Sequence, residues 1–127
     1  MNFAMKKILV IEDNAIVRNT VKRILQIAGY TVVTANDGLE GVNLFRKELP
    51  DLVISDIIMP QQEGIGTIRQ ILAEFPGTKI IAISGGGRIG NTDFLQIARK
   101  MGAVDARPKP LDPDDLLGRI DDCLKAA

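Results

Sequence analysis

The chain has 127 residues, 46% of them apolar and 25% charged, which fits one domain able to bury roughly two-thirds of its unfolded surface without staples. Sixteen basic residues balance sixteen acidic ones, so charge gives no reason to expect nucleic acid or an anionic membrane as a direct ligand. The absence of histidine excludes His-based metal sites, Ser-His-Asp chemistry and a phosphohistidine carried by this chain, and a single cysteine, Cys123, excludes an internal disulfide.

Residues 1–5 read as a short N-terminal extension or cloning remnant, and 6–127 as one domain. Lys6-Lys7 is followed by only four apolar residues and then two acids, so it does not begin an export segment. No apolar run approaches the ~20 residues of a membrane span, and Cys123 reads as a small core residue suited to a reducing cytoplasm.

The first strand, 7–11, carries Ile8-Leu9-Val10-Ile11 directly into Glu12-Asp13. A helix follows over 14–28, where Val17, Val21, Ile24, Leu25 and Ala28 share one face and Gly29 is the stop. The second strand, 31–35, is mixed in character. Asp37-Gly38-Leu39-Glu40 has capping-box spacing for a helix over 38–48. The third strand, 51–56, ends Ile54-Ser55-Asp56. Ile65, Ile68, Leu72 and Phe75 stripe a third helix over 64–75, stopped by Pro76-Gly77.

The fourth strand, 79–84, ends at Ser84 ahead of Gly85-Gly86-Gly87. A fourth helix over 92–101 is striped by Phe94, Ile97, Ala98 and Met101. The fifth strand, 104–108, contains Arg107 and Pro108 and runs into Lys109-Pro110. Asp112-Pro113-Asp114-Asp115 gives the last helix, 113–125, an N-cap, a proline in its first turn and acids on its positive end. Leu116, Leu117, Ile120 and Leu124 form its apolar stripe.

Five strand–helix repeats predict an α/β doubly wound parallel sheet with helices on both faces. Strands one, three and four are almost wholly apolar, as burial on both faces requires. The mixed second strand and the proline-containing fifth belong at the edges, giving the order 2-1-3-4-5, the flavodoxin-like arrangement. In such a sheet chemistry gathers at the carboxyl ends of the strands. Glu12, Asp13, Asp56, Ser84 and Lys109 all fall there. Three neighbouring carboxylates repel until a proton or a cation intervenes, and Mg²⁺ binds one or two carboxylates plus phosphate oxygens.

Glu12-Asp13, Asp56 in Asp-Ile-Ile-Met-Pro with Gly64 beyond it, Ser84 and Lys109-Pro110 resemble the receiver domains of two-component response regulators, of the chemotaxis-regulator type, over residues 6 to about 125. The resemblance implies a signalling domain rather than an enzyme. Asp56 would be the phosphoacceptor. Asp13, Asp56 and the backbone carbonyl of Ile58 would hold Mg²⁺, with Glu12 acting through a water. Ser84 would contact the phosphoryl group, Lys109 would pair with it, and Lys109–Pro110 would be cis. The donor would be a sensor histidine kinase or a phosphotransfer protein, and the output a protein contact through the fourth helix, fifth strand and fifth helix, without membrane insertion or direct nucleic-acid binding.

Family members usually carry an aromatic residue three positions before the lysine, where this chain has Ala106. The triglycine loop and the start of the fourth helix are therefore the expected moving parts. A receiver-like module that works by contact, without phosphorylation, is the alternative. Gly85-Gly86-Gly87-Arg88-Ile89-Gly90 imitates a dinucleotide fingerprint, but the chain lacks room for a second nucleotide-binding half. A flavin phosphate after strand one would be repelled by Glu12-Asp13. An aspartate-nucleophile phosphohydrolase would carry Asp-x-Asp where this chain has Glu12-Asp13-Asn14. The sequence leaves open whether the domain stands alone or was excised from a longer chain, and which kinase and output partner it serves.

Overall fold

A computed structural model describes residues 5–57, 63–84 and 91–125, with side chains described from 66 in the second segment and from 96 in the third. Strands and helices alternate as β1 (Lys7–Ile11), α1 (Ala15–Ile27), β2 (Thr31–Ala35), α2 (Gly38–Glu48), β3 (Leu52–Asp56), α3 (Glu63–Glu74), β4 (Ile80–Ser84), α4 (Asn91–Lys100), β5 (Asp105–Pro108) and α5 (Pro113–Lys125). All ten elements lie within one residue of the expected bounds. The strands form one sheet, order β2-β1-β3-β4-β5, parallel throughout. The flavodoxin-like architecture predicted from strand hydropathy is thus the one observed.

Alternation along each strand divides the core in two. Leu9, Ile11, Val53, Ile80 and Ala82 face α2, α3 and α4, where Phe45, Ile68, Ile71 and Ala98 meet them. Ile8, Val10, Leu52, Ile54, Ile81 and Ile83 face α1 and α5, packing on Val21, Leu25, Leu116 and Ile120. β1, β3 and β4 are buried almost completely, whereas β2 is half-buried along most of its length. That difference is why hydropathy alone ranks the strands as central or edge.

Local chemistry sets the helix ends. Asn14 Oδ1 accepts from the amides of Ile16 (2.9 Å) and Val17 (3.1 Å), capping α1. Asp37 Oδ1 accepts from Glu40 N at 2.8 Å, and Glu40 Oε1 accepts in return from Asn36 N at 2.7 Å, one residue earlier than a standard capping box. Gly29 follows α1 with φ of 101°, a left-handed conformation that suits glycine. α2 and α3 are clasped by a two-pronged ion pair from Arg46 to Glu74 (2.8 and 2.7 Å) and by Phe45 against Phe75, ring centroids 4.8 Å apart.

Three helical positions differ from the periodic expectation. Ala28 is exposed, because α1 ends before it and the chain turns away. Ile97 is 40% exposed, whereas the adjacent Ala98 is fully buried in the core layer. Ile71 is buried although it falls outside the stripe of Ile65, Ile68, Leu72 and Phe75. Cys123 is half-buried at the rim of the α1/α5 layer. Ala106 is 1% exposed and packs in the layer that holds Ala82, Ala98 and Ala103. The side chains of Ile65 and Phe94, and the Gly85-Gly86-Gly87 loop, lie outside the described residues.

α2 approaches β1 closely at Gly41. A Cβ there would lie 2.5 Å from Ile11 Cδ1 and 2.9 Å from Ile11 Cγ1, so the fully buried Ile11 would have to shift within the core. Overpacking costs about 1–3 kcal/mol, and alanine recovers roughly 1 kcal/mol over glycine within a helix. Gly41→Ala is expected to lower the unfolding free energy by about 1 kcal/mol on balance, read from the urea midpoint at unchanged slope.

Candidate functional site

The sheet order puts β1 beside β3, so the acids that follow β1 meet the acid that ends β3. One carboxylate oxygen from each of Glu12, Asp13 and Asp56 lies within 4.8 Å of the others. Asp13 is exposed, Asp56 is 2% exposed and Glu12 is fully buried. From the far edge, Lys109 reaches in after β5. Its Nζ lies 2.6 Å from Glu12 Oε1 and 2.9 Å from Asp56 Oδ2. Ser84, 5% exposed, ends β4 between them, and its carbonyl accepts from Lys109 N at 2.8 Å. The Lys109–Pro110 peptide is cis, as the resemblance implies.

The loop after β1 is held by Asn14 and Arg18, from outside the acidic cluster. Asn14 N donates to Glu12 Oε2 at 3.0 Å. Arg18, one turn into α1, donates to the carbonyls of Glu12 (2.9 Å) and Asp13 (3.4 Å). Asn14 was legible as a polar residue immediately before an apolar-periodic run, the usual capping signal. Arg18 carried no signal, because a cation on a helix surface is ordinarily solvated.

Charge in this pocket is unbalanced, with three carboxylates facing one ammonium. Burial pushes the Glu12 carboxyl above its ordinary value of 4.5; Lys109 and the Asn14 amide oppose that, while Asp56 and Asp13 add to it. Burial works against the Lys109 ammonium, but hydrogen bonds and charge from Asp56 and Glu12 outweigh it and hold Lys109 above its ordinary value of 10.5. At 2.6 Å the Lys109 ammonium is ion-paired with the buried Glu12 Oε1, yet it also serves Asp56 while Asp13 faces the same space. An all-oxygen donor set and an excess of negative charge fit a hard divalent cation. The acidic cluster is typical of a receiver Mg²⁺ site. Ile58 lies outside the described residues.

Beside the pocket, between α1 and the segment after β5, runs a groove of about 170 Å³ lined by Ile16, Val17, Thr20, Ile24, Pro110 and Leu111, and shared with Lys109. Ile16 stands 78% exposed at its mouth. No helix among the described residues is long and apolar enough to cross a membrane.

A doubly wound signalling domain with an acidic pocket at the carboxyl ends of its strands is the class that this fold and site define. Residues 8–121 match the family model of the response regulator receiver domain, and the chain belongs to that family. It is therefore a two-component signalling module rather than a turnover enzyme, of a kind that pairs with histidine kinases. It is 34% identical to the chemotaxis protein CheY of Listeria monocytogenes, over 95% of this chain and 100% of that one. It is 36% identical to the probable transcriptional regulator ycf27 of Guillardia theta, over 91% of this chain and 44% of that protein. The chain spans about half the length of the ycf27 relatives it matches. A receiver domain from Clostridium thermocellum superposes with a TM-score of 0.85 at 32% identity, covering 94% of each chain.

The raised Glu12 pKa fixes the sign of a pH effect in metal-free protein. The folded state binds this proton more tightly than the unfolded chain does. Its contribution to stability is therefore fully present below about 4.5 and is lost as pH rises through the folded value. Glu12→Gln is expected to flatten the loss of stability seen as pH climbs from 4.5 toward neutrality, measured by thermal melts in chelator.

Proposed function

We propose that Asp56 accepts a phosphoryl group from a phosphohistidine on a sensor histidine kinase or phosphotransfer protein, and that the domain signals through altered protein contacts. The observation that carries this is the nearly buried Asp56 carboxylate, 2.9 Å from the Lys109 ammonium and grouped with the carboxylates of Glu12 and Asp13. Asp13, Asp56 and the Ile58 carbonyl would hold Mg²⁺, with Glu12 acting through a water. When bound, the ion supplies charge neutralisation at the oxygens of the transferring group.

The rest belongs to the chain itself. An Asp56 oxygen forms the new bond to phosphorus while the phosphorus–nitrogen bond breaks, its electron pair leaving with the donor imidazole. The Lys109 ammonium exchanges part of its carboxylate pairing for a phosphoryl oxygen, which offsets the added charge. The Ser84 hydroxyl donates to another phosphoryl oxygen. Attack by water on the same phosphorus later restores the carboxylate. A cytoplasmic site of action goes with this chemistry and with a lone, half-buried thiol.

Exposure to a small phosphodonor and Mg²⁺ should add the mass of one phosphoryl group, and Asp56→Asn should abolish the addition. A folded wild-type protein that gains no such mass would instead support the contact-only module, which the buried methyl of Ala106 favours.

The groove shared by Ile16, Leu111 and Lys109 is where a phosphohistidine donor reaches Asp56 while burying apolar surface. Ile16→Asp removes an exposed apolar anchor of the kind worth about 1–2 kcal/mol at an interface. Transfer from the kinase should fall about tenfold, while labelling by the small phosphodonor stays unchanged.

A further inference from the structure

On the side of the molecule away from α1 and α5, a groove of about 330 Å³ between α3 and α4 is lined by Arg69, Ile97, Lys100 and Met101. Its lower end is tight. Gly102 approaches α3 so nearly that a Cβ there would lie 2.7 Å from Leu72 Cδ1. The floor is apolar, with Ile97 40% exposed and Met101 half-buried. The walls are cationic. Among the described residues, Arg69, Lys100 and the adjacent Arg99 have no carboxylate within 4.0 Å.

The opposite flank of α4 differs. On β5 and α5, Arg107 is paired with Asp115 at 2.7 Å, and Arg119 with Asp105 at 3.4 Å and Asp115 at 3.6 Å. Cations there are already neutralised within the chain, and among the described residues those of the α3/α4 groove meet no carboxylate. Arg99 and Lys100 in the last turn of α4 complement its dipole. That account does not extend to Arg69, which sits in the middle of α3.

We infer that the α3/α4 groove docks an acidic amphipathic helix from a protein partner. Its apolar side chains lie on Ile97 and Met101, and its carboxylates meet Arg69 and Lys100. Methionine adapts to varied apolar partners, and a helix laid in a groove presents apolar groups at intervals of three and four. Nucleic acid fits less well, since the described walls offer no aromatic ring for stacking and the chain is neutral overall.

This docking is separate from phosphoryl transfer, so it is tested on unphosphorylated protein in chelator. The probes are a labelled helical peptide with Leu at i, i+3, i+4 and i+7 and Glu elsewhere, its counterpart with Lys for Glu, a single-stranded oligonucleotide, and phosphatidylserine vesicles. The acidic peptide should bind at least about tenfold tighter than the basic one, and its binding should weaken with salt. Amide shifts should change over 66–73 and 96–101. Arg69→Glu with Lys100→Glu should cost about tenfold in affinity, while Lys22→Glu with Arg23→Glu, on α1, should not. Arg69→Gln with Lys100→Gln serves the same purpose should the charge reversals unfold the protein. Equal affinity for both peptides, shifts confined to β5 and α5, or an oligonucleotide or vesicle that displaces the acidic peptide would overturn the inference.

Discussion

Repulsion among the carboxylates of Glu12, Asp13 and Asp56 is the constraint around which the domain is arranged. Water would screen three such groups on an open surface, but Glu12 and Asp56 have almost no access to it. The fold answers with position. Lys109 spans the cleft to touch both buried acids, the Asn14 amide holds the second oxygen of Glu12, and Arg18 donates to the carbonyls of the same loop. The lysine comes from beyond β5, and the other two groups from the start of α1. The sheet order therefore serves electrostatics as much as packing, since only adjacency of β1 and β3 brings the acids together, and only the strand two places further on carries the lysine.

The remainder of the molecule keeps that geometry fixed. β1, β3 and β4 are buried on both faces, and their alternating side chains lock register against the helices above and below. The close approach of α2 at Gly41 and the clasp of Arg46 and Phe45 on α3 brace one flank. The other flank is tied by ion pairs between β5 and α5. α4 lies between these braced flanks, with Ala98 fully buried in the same layer as Ala103 and Ala106.

Much of this was legible in the sequence because its determinants are local. Apolar runs ending in acids placed the strands and the pocket, Asp37 and Asp112 marked helix starts, and Pro108 assigned β5 to an edge. Glu12, Asp13, Asp56, Ser84 and Lys109 were named from strand ends alone, and the structure brings the three acids and the lysine into contact with Ser84 beside them. What escaped was set by tertiary neighbours. The exposure of Ile97 beside a fully buried Ala98 depends on how α4 is turned on its neighbours, which periodicity cannot express. The role of Arg18 depends on where the preceding loop folds back, and the pairing of the cations on β5 and α5 depends on which elements become neighbours.

Ala106 carries a consequence for how information leaves the pocket. Its methyl is buried in the layer that also holds Ala82, Ala98 and Ala103, so β5 has no swivelling ring at this point to trade an interior seat for an exterior one. A side chain that small has no rotamers to exchange. A message of the kind proposed for Asp56 would find no ring to turn at position 106, and displacement of backbone segments would be its natural route: sliding plates rather than a turning key.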